Sequence, residues 1–82
     1  MSSNIIQERV GVEAGFWGGK VYPLRFVWNG RRHEVKRVNL VFERRDGGRK
    51  YLCFAVETGG MIAELVMDTQ NFQFSIVGVQ AV

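Results

Sequence analysis

Apolar residues in this chain recur at every second position over stretches of strand length, and glycine-containing turn signals separate the stretches. The punctuation is regular: Asn29-Gly30, Asp46-Gly47-Gly48, Thr58-Gly59-Gly60 and the polar run Asp68-Thr69-Gln70-Asn71. Between these signals lie runs rich in Val, Ile, Phe, Tyr and Trp, the residue types that suit a half-buried pleated surface. No window keeps apolar residues at i, i+3, i+4 and i+7 for three turns, so no surface helix is predicted. The pattern predicts an all-β antiparallel meander of five or six strands, as a strongly twisted sheet or small open barrel. The strands fall at Val21 to Trp28, Arg31 to Arg44, Arg49 to Glu57, Met61 to Asp68 and Phe72 to Val79, with Ile5 to Val12 as a sixth. Residues 1–20 are expected to form an N-terminal arm, either flexible or supplying that sixth strand, and residues 21–82 a single β domain.

Two turns fix registers. Asn-Gly between alternating apolar runs predicts a two-residue type I′ hairpin. Trp28 then lies opposite Arg31, Phe26 opposite His33, Leu24 opposite Val35, and Arg25 opposite Glu34, where unlike charges attract. Leu24, Phe26 and Trp28 define the expected core face. Further along, apolar parity changes between Val35 and the series Val38, Leu40, Phe42, so a β-bulge is expected near Lys36-Arg37, turning the strand round a corner. Gly59-Gly60, taken as a two-residue loop, pairs Val56 with Ala63, Phe54 with Leu65 and Leu52 with Met67 as a core stripe. The opposite face of that hairpin carries Tyr51, Cys53, Ala55, Ile62 and Val66, more apolar than a water-facing row. Its expected cover is either the N-terminal segment, through Ile5, Ile6, Val10 and Val12, or the same face of a second subunit.

Composition narrows the class. Eighty-two residues suffice for one small domain, and 46% hydrophobic with 23% charged residues is an ordinary globular mixture. Cys53 is the single cysteine and His33 the single histidine, which removes internal disulfides and Cys/His metal clusters from consideration. Charge appears too early for a signal peptide and no apolar run reaches membrane length, so a soluble cytoplasmic protein without a membrane role is expected.

The net charge of +3 is unevenly spread. From Arg25 to Lys50 nine basic residues stand against three acidic ones, and residues 51–82 hold no Lys or Arg. Arg31, Arg32, Lys36, Arg37, Arg44, Arg45, Arg49 and Lys50 are therefore candidate contacts for an anionic partner, most plausibly nucleic acid. An arginine-rich hairpin tip also solubilises a domain and protects a sheet edge, and the sequence supports both readings. Trp17 and Tyr22, beside Gly18-Gly19, are candidate exposed stacking residues, or else a plug at the barrel end.

No catalytic constellation assembles. His33 faces Phe26, which suits a packed imidazole, and Cys53 between Leu52 and Phe54 suits an inert buried thiol. Glu64 and Asp68 lie about 13 Å apart along one strand face, too far to cooperate directly, and read as solvated charge. Gly18-Gly19-Lys20 and Gly47-Gly48-Arg49-Lys50 lack the spacing and following helix of a phosphate loop. The chain is expected to be a non-enzymatic binding module without cofactor, metal or small-molecule substrate. The alternative is a protein-interaction or homodimeric β domain using Tyr51, Cys53, Ala55, Ile62 and Val66.

The segment Phe26-Val27-Trp28-Asn29-Gly30-Arg31-Arg32-His33-Glu34-Val35-Lys36-Arg37-Val38 resembles an F-x-W-x-G-R-x-(aromatic)-x-V-x-x-V pattern of small bacterial β domains of unknown function, some encoded beside DNA-repair polymerase genes. Tyr51-Leu52-Cys53-Phe54 and Ala63-Glu64-Leu65-Val66-Met67-Asp68 are similar to later strands of those domains, with His33 standing where an aromatic is commoner. The resemblance covers roughly residues 21–80. It implies a shared β fold and a connection with nucleic-acid work, and it brings no catalytic residues.

Overall fold

The structure is a computed structural model that describes residues 3–82, with side chains from Gln7 onward. It contains seven strands rather than five or six: β1 Ser3–Trp17, β2 Lys20–Trp28, β3 Arg31–Glu34, β4 Arg37–Asp46, β5 Arg49–Glu57, β6 Met61–Asp68 and β7 Phe74–Ala81. They form one antiparallel sheet in the order β3-β2-β1-β7-β6-β5-β4, which curls but does not close. Among the described residues no helix is long and apolar enough to cross a membrane.

Two segments change partners partway along, and these make the curl. The first half of β1 pairs with β7, as Ser3 opposite Gln80 and Val10 opposite Phe74, while its second half pairs with β2, from Gly11 opposite Val27 to Trp17 opposite Lys20. Likewise the run from Arg31 pairs first with β2 and then with β5. At the switch, the Val35 amide donates to the Leu24 carbonyl at 3.0 Å and the next amide, Lys36, donates to the Glu57 carbonyl at 2.7 Å. Strands that pass between layers in this way wrap a sheet around its own inner face. Within that curl lie Phe26, Phe54, Val56, Ala63, Leu65, Met67, Phe74 and Ile76, all buried, with Val10, Val12 and Ala14 of β1 packed against them.

The two predicted registers are observed. Arg25 faces Glu34 and Phe26 faces His33, and the turn residues Asn29 and Gly30 both have positive φ, at 54° and 72°, as a type I′ turn requires. Across the Gly59-Gly60 turn, Leu52, Phe54 and Val56 face Met67, Leu65 and Ala63.

Bulges correct the rest. Arg25 pairs with Glu13 but the adjacent pair is Pro23 with Ala14, so Leu24 is an extra residue in β2. Pro23 turns inward and is buried, while Leu24 is 41% exposed rather than part of the core face. A proline without an N–H is tolerated beside such a disruption of the ladder. The expected bulge at Lys36-Arg37 is instead a break in the strand, and the bulge sits at Asn39, between Val38 and Leu40. Val38 consequently packs on the core, whereas Leu40 and Phe42 turn outward at 55% and 40% exposure. Within residues 1–20, for which the sequence left an arm and an extra strand open, Ser3–Trp17 form β1, an interior strand between β2 and β7. Val10 and Val12 therefore face the core and do not cover the outer face of β5 and β6; Ile5 and Ile6 lie outside the residues whose side chains are described.

Candidate nucleic-acid interface

A meander sends alternate hairpins to opposite ends of the sheet, and this divides the candidate cations. The turns Gly18-Gly19, Gly47-Gly48 and Thr69 to Gln73 lie at one end, with Lys20, Arg44, Arg45, Arg49 and Lys50. The Asn29-Gly30 turn carries Arg31 and Arg32 at the other end, and Lys36 and Arg37 lie at the partner switch, where Arg37 faces Glu57. Seven residues of β4 separate the nearest members of the two groups, Arg37 and Arg44, about 23 Å of extended chain. The eight residues do not form one pole.

Aromatic residues gather at the first end. Phe16, Trp17 and Phe72 are 59%, 56% and 61% exposed, and with Lys20, Glu43, Lys50, the partly buried Leu52 and the buried Met67 they line a cavity of about 550 Å³. Trp17 stacks on Tyr22 with ring centroids 4.1 Å apart and planes within 13°. Phe16 meets Phe72 edge to face at 6.1 Å. Trp17 was legible as an exposed aromatic, while Tyr22 is half-buried against it; Phe16 and Phe72 were not legible, because Phe16 lies in the N-terminal arm beyond the sixth strand and Phe72 reads as a strand start.

The turn that presents Phe72 is built by Asp68. Its carboxylate accepts from the Gln70 amide at 2.9 Å and from Arg49 Nε at 3.1 Å, and its backbone carbonyl accepts from the Phe72 amide at 2.8 Å. Thr69 Oγ1 donates to the Lys50 carbonyl at 2.7 Å, tying this turn to β5. Asp68, with only 16% of its side chain exposed, is thus a structural anchor rather than the solvated charge expected. Phe72 itself has φ 60°, a left-handed conformation that a bulky side chain adopts only at a cost.

The cations at this end are partly engaged. Lys50 Nζ lies 3.7 Å from Glu43, Arg49 is held by Asp68, and the Arg44 guanidinium sits 5.4 Å over the Tyr51 ring. Lys20 and Arg45 are exposed. On β2, Arg25 bonds both Glu13 and Glu34, and the guanidinium beside Glu13 holds that carboxyl below the ordinary carboxylate range.

The other candidates fall elsewhere. His33 is half-buried and stacks on Phe26 with centroids 5.1 Å apart; its Nε2 is shielded and finds no partner among the described residues. Cys53 is buried on the outer face of β5, and desolvation pushes its thiol above the ordinary range. Val66 beside it is 6% exposed, while Tyr51, Ala55 and Ile62 are half-buried. Among the described residues no group of three His, Cys, Asp or Glu side chains could hold a metal ion. No family model matches the chain, and no curated protein or solved structure shows significant similarity to it.

Proposed function

We propose that this chain is a non-catalytic binding module that takes single-stranded nucleic acid at the end of the sheet formed by the β1–β2, β4–β5 and β6–β7 turns. The observation that carries the reading is the exposed aromatic trio Phe16, Trp17 and Phe72 around a cavity rimmed by Lys20 and Lys50. Exposed rings offer stacking platforms to bases, and neighbouring cations follow the phosphates. The strained backbone at Phe72 supports it further, since strain concentrates where a side chain has to be held in one place for use. The resemblance to domains encoded beside DNA-repair polymerase genes points the same way.

The test is a fluorescence-anisotropy titration of labelled single-stranded and duplex oligonucleotides at 50 and 200 mM salt. Three or four phosphate contacts on a single strand lower affinity about 20- to 50-fold over that range. Single-stranded DNA should bind better than duplex. Arg45→Glu should weaken binding for all sequences alike, and Arg31→Glu, at the opposite end, should leave it unchanged. Affinity that ignores salt, or equal losses from both variants, would refute the reading.

A second reading is self-association through the outer face of β4, β5 and β6. Leu40 and Phe42 favour it, because they extend the row of Tyr51, Cys53, Ala55, Ile62 and Val66 with well-exposed apolar surface. Sedimentation that stays monomeric at high concentration, with Phe42→Lys leaving the mass unchanged, would exclude it.

A further inference from the structure

The sheet stays open along one seam. On one side of it, β3 covers only Arg25 to Trp28 of β2, and the Leu24 carbonyl is taken by Val35, which leaves the backbone edge from Lys20 to Pro23 without a strand partner. On the other side, β4 pairs with β5 alone, so its second edge has no strand partner among the described residues. The two edges diverge from the Val35-Lys36 switch. Between them lies an apolar cleft of about 440 Å³, lined by Val21 and Tyr22 from β2, Val38 and Val41 from β4, and Leu52 and Phe54 from β5. The cleft reaches the core, since Phe54 is among the most buried side chains, and Val41 stands in it 51% exposed.

We infer that this seam is a strand-acceptor site for an extended acidic peptide with alternating apolar side chains. Two unpaired backbone edges facing one cleft ask for a donor and acceptor row on both sides, which an extended peptide backbone supplies and a sugar-phosphate chain does not. β2 and β4 run in opposite directions, so the inserted strand lies antiparallel to one and parallel to the other. Alternate side chains then point into the cleft beside Val41 and out to solvent. Charge selects the occupant. Among the residues that line the cleft the one charged side chain is Lys20, a cation, while Arg37, opposite Glu57, and Arg45 stand towards the two ends of β4. The same cations oppose edge-to-edge pairing of β4 with a second copy: a two-fold pairing that sets Leu40 opposite Phe42 also sets Arg37 opposite Arg45.

The probe is a fluorescein-labelled seven-residue peptide of alternating glutamate and valine, compared with the same peptide carrying lysine for glutamate. The glutamate peptide should bind in the micromolar range and at least tenfold more tightly than the lysine one. With isotope-labelled protein, amide shifts should concentrate at Lys20 to Tyr22 and Val38 to Arg45. Val41→Asp should weaken binding at least tenfold, while Val27→Asp, equally exposed on β2 but outside the seam, should not. No binding at millimolar peptide, shifts centred on Phe16, Trp17 and Phe72, or a single-stranded oligonucleotide that reproduces the seam shifts would each overturn the assignment. Because oligonucleotide and peptide are titrated separately, failure of the nucleic-acid reading leaves this result legible on its own.

Discussion

Gly15 offers a way to move one aromatic ring without disturbing the fold. The Trp17 indole lies over this glycine: a Cβ built there would stand 2.9 Å from both Cε3 and Cη2, with Cζ3 nearer still. Alanine at position 15 therefore expels the indole from its place against Tyr22. Loss of the stack costs about 0.5 to 1.5 kcal/mol. Replacing a glycine in a strand with alanine returns about 0.5 to 1 kcal/mol through the unfolded chain. The two nearly offset, so Gly15→Ala should leave the denaturation midpoint within a few degrees of the parent while releasing Trp17. Ring-current shifts on the Tyr22 ring protons report the release directly by NMR. If Trp17 is a base platform, affinity for a single-stranded oligonucleotide should fall about 5- to 150-fold, the equivalent of about 1 to 3 kcal/mol per stacked base. Unchanged Tyr22 resonances would refute the steric argument. Shifted resonances with unchanged affinity would remove Trp17 from the interface.

Three further outcomes are expected. Phe72→Asn should raise stability by up to about 1 kcal/mol, because asparagine tolerates φ 60° better, while weakening oligonucleotide binding; thermal melts and anisotropy together separate the two effects. Asp68→Ala should cost about 2 to 3 kcal/mol in urea denaturation by removing two hydrogen bonds to a largely buried carboxylate, and should shift the Phe72 and Arg49 resonances. Cys53 should resist alkylation in the folded protein and react in denaturant. Since burial raises its folded pKa, its contribution is complete below the ordinary thiol range and is lost as pH rises through and above that range. Cys53→Ala should flatten that part of the stability profile, and identical slopes would refute the account.

What the sequence made legible were the features that local chemistry fixes. Asn29-Gly30 and Gly59-Gly60 set two registers because a two-residue loop leaves no freedom of pairing, and the Phe54, Leu65 and Val56, Ala63 pairs came from them. The second half of β1 was missed although Val10, Val12, Ala14 and Phe16 alternate, because Gly11, Gly15 and Gly18-Gly19 crowd the same stretch and glycine in a strand reads as a break. Leu24 and Leu40 were misplaced for a common reason: one inserted residue inverts the facing of its neighbours along the strand, and no residue type marks the insertion. Of the candidate site, the cations at 44, 45, 49 and 50 were legible as a cluster because one hairpin holds them. Their separation from Arg31 and Arg32, and the convergence of Phe16 with Phe72, depend on which turns share an end of the sheet. That is a property of the meander as a whole.

The pairing of β1 with β7 has a bearing on how the chain reaches its fold. The first strand of the sequence lies between the second and the last, with Asn4 opposite Val79. Closing that contact spans nearly the whole chain, so its loop entropy is lost before any pairing energy returns, which makes for slow folding. During synthesis β2 to β6 emerge and form hairpins while β1 has one partner and waits for the other. The sheet therefore completes only when β7 has cleared the ribosome. Until then the edges of β1 and β6 stand bare, and a chaperone that shields exposed strands should raise the yield of this protein more than one that acts on the finished chain.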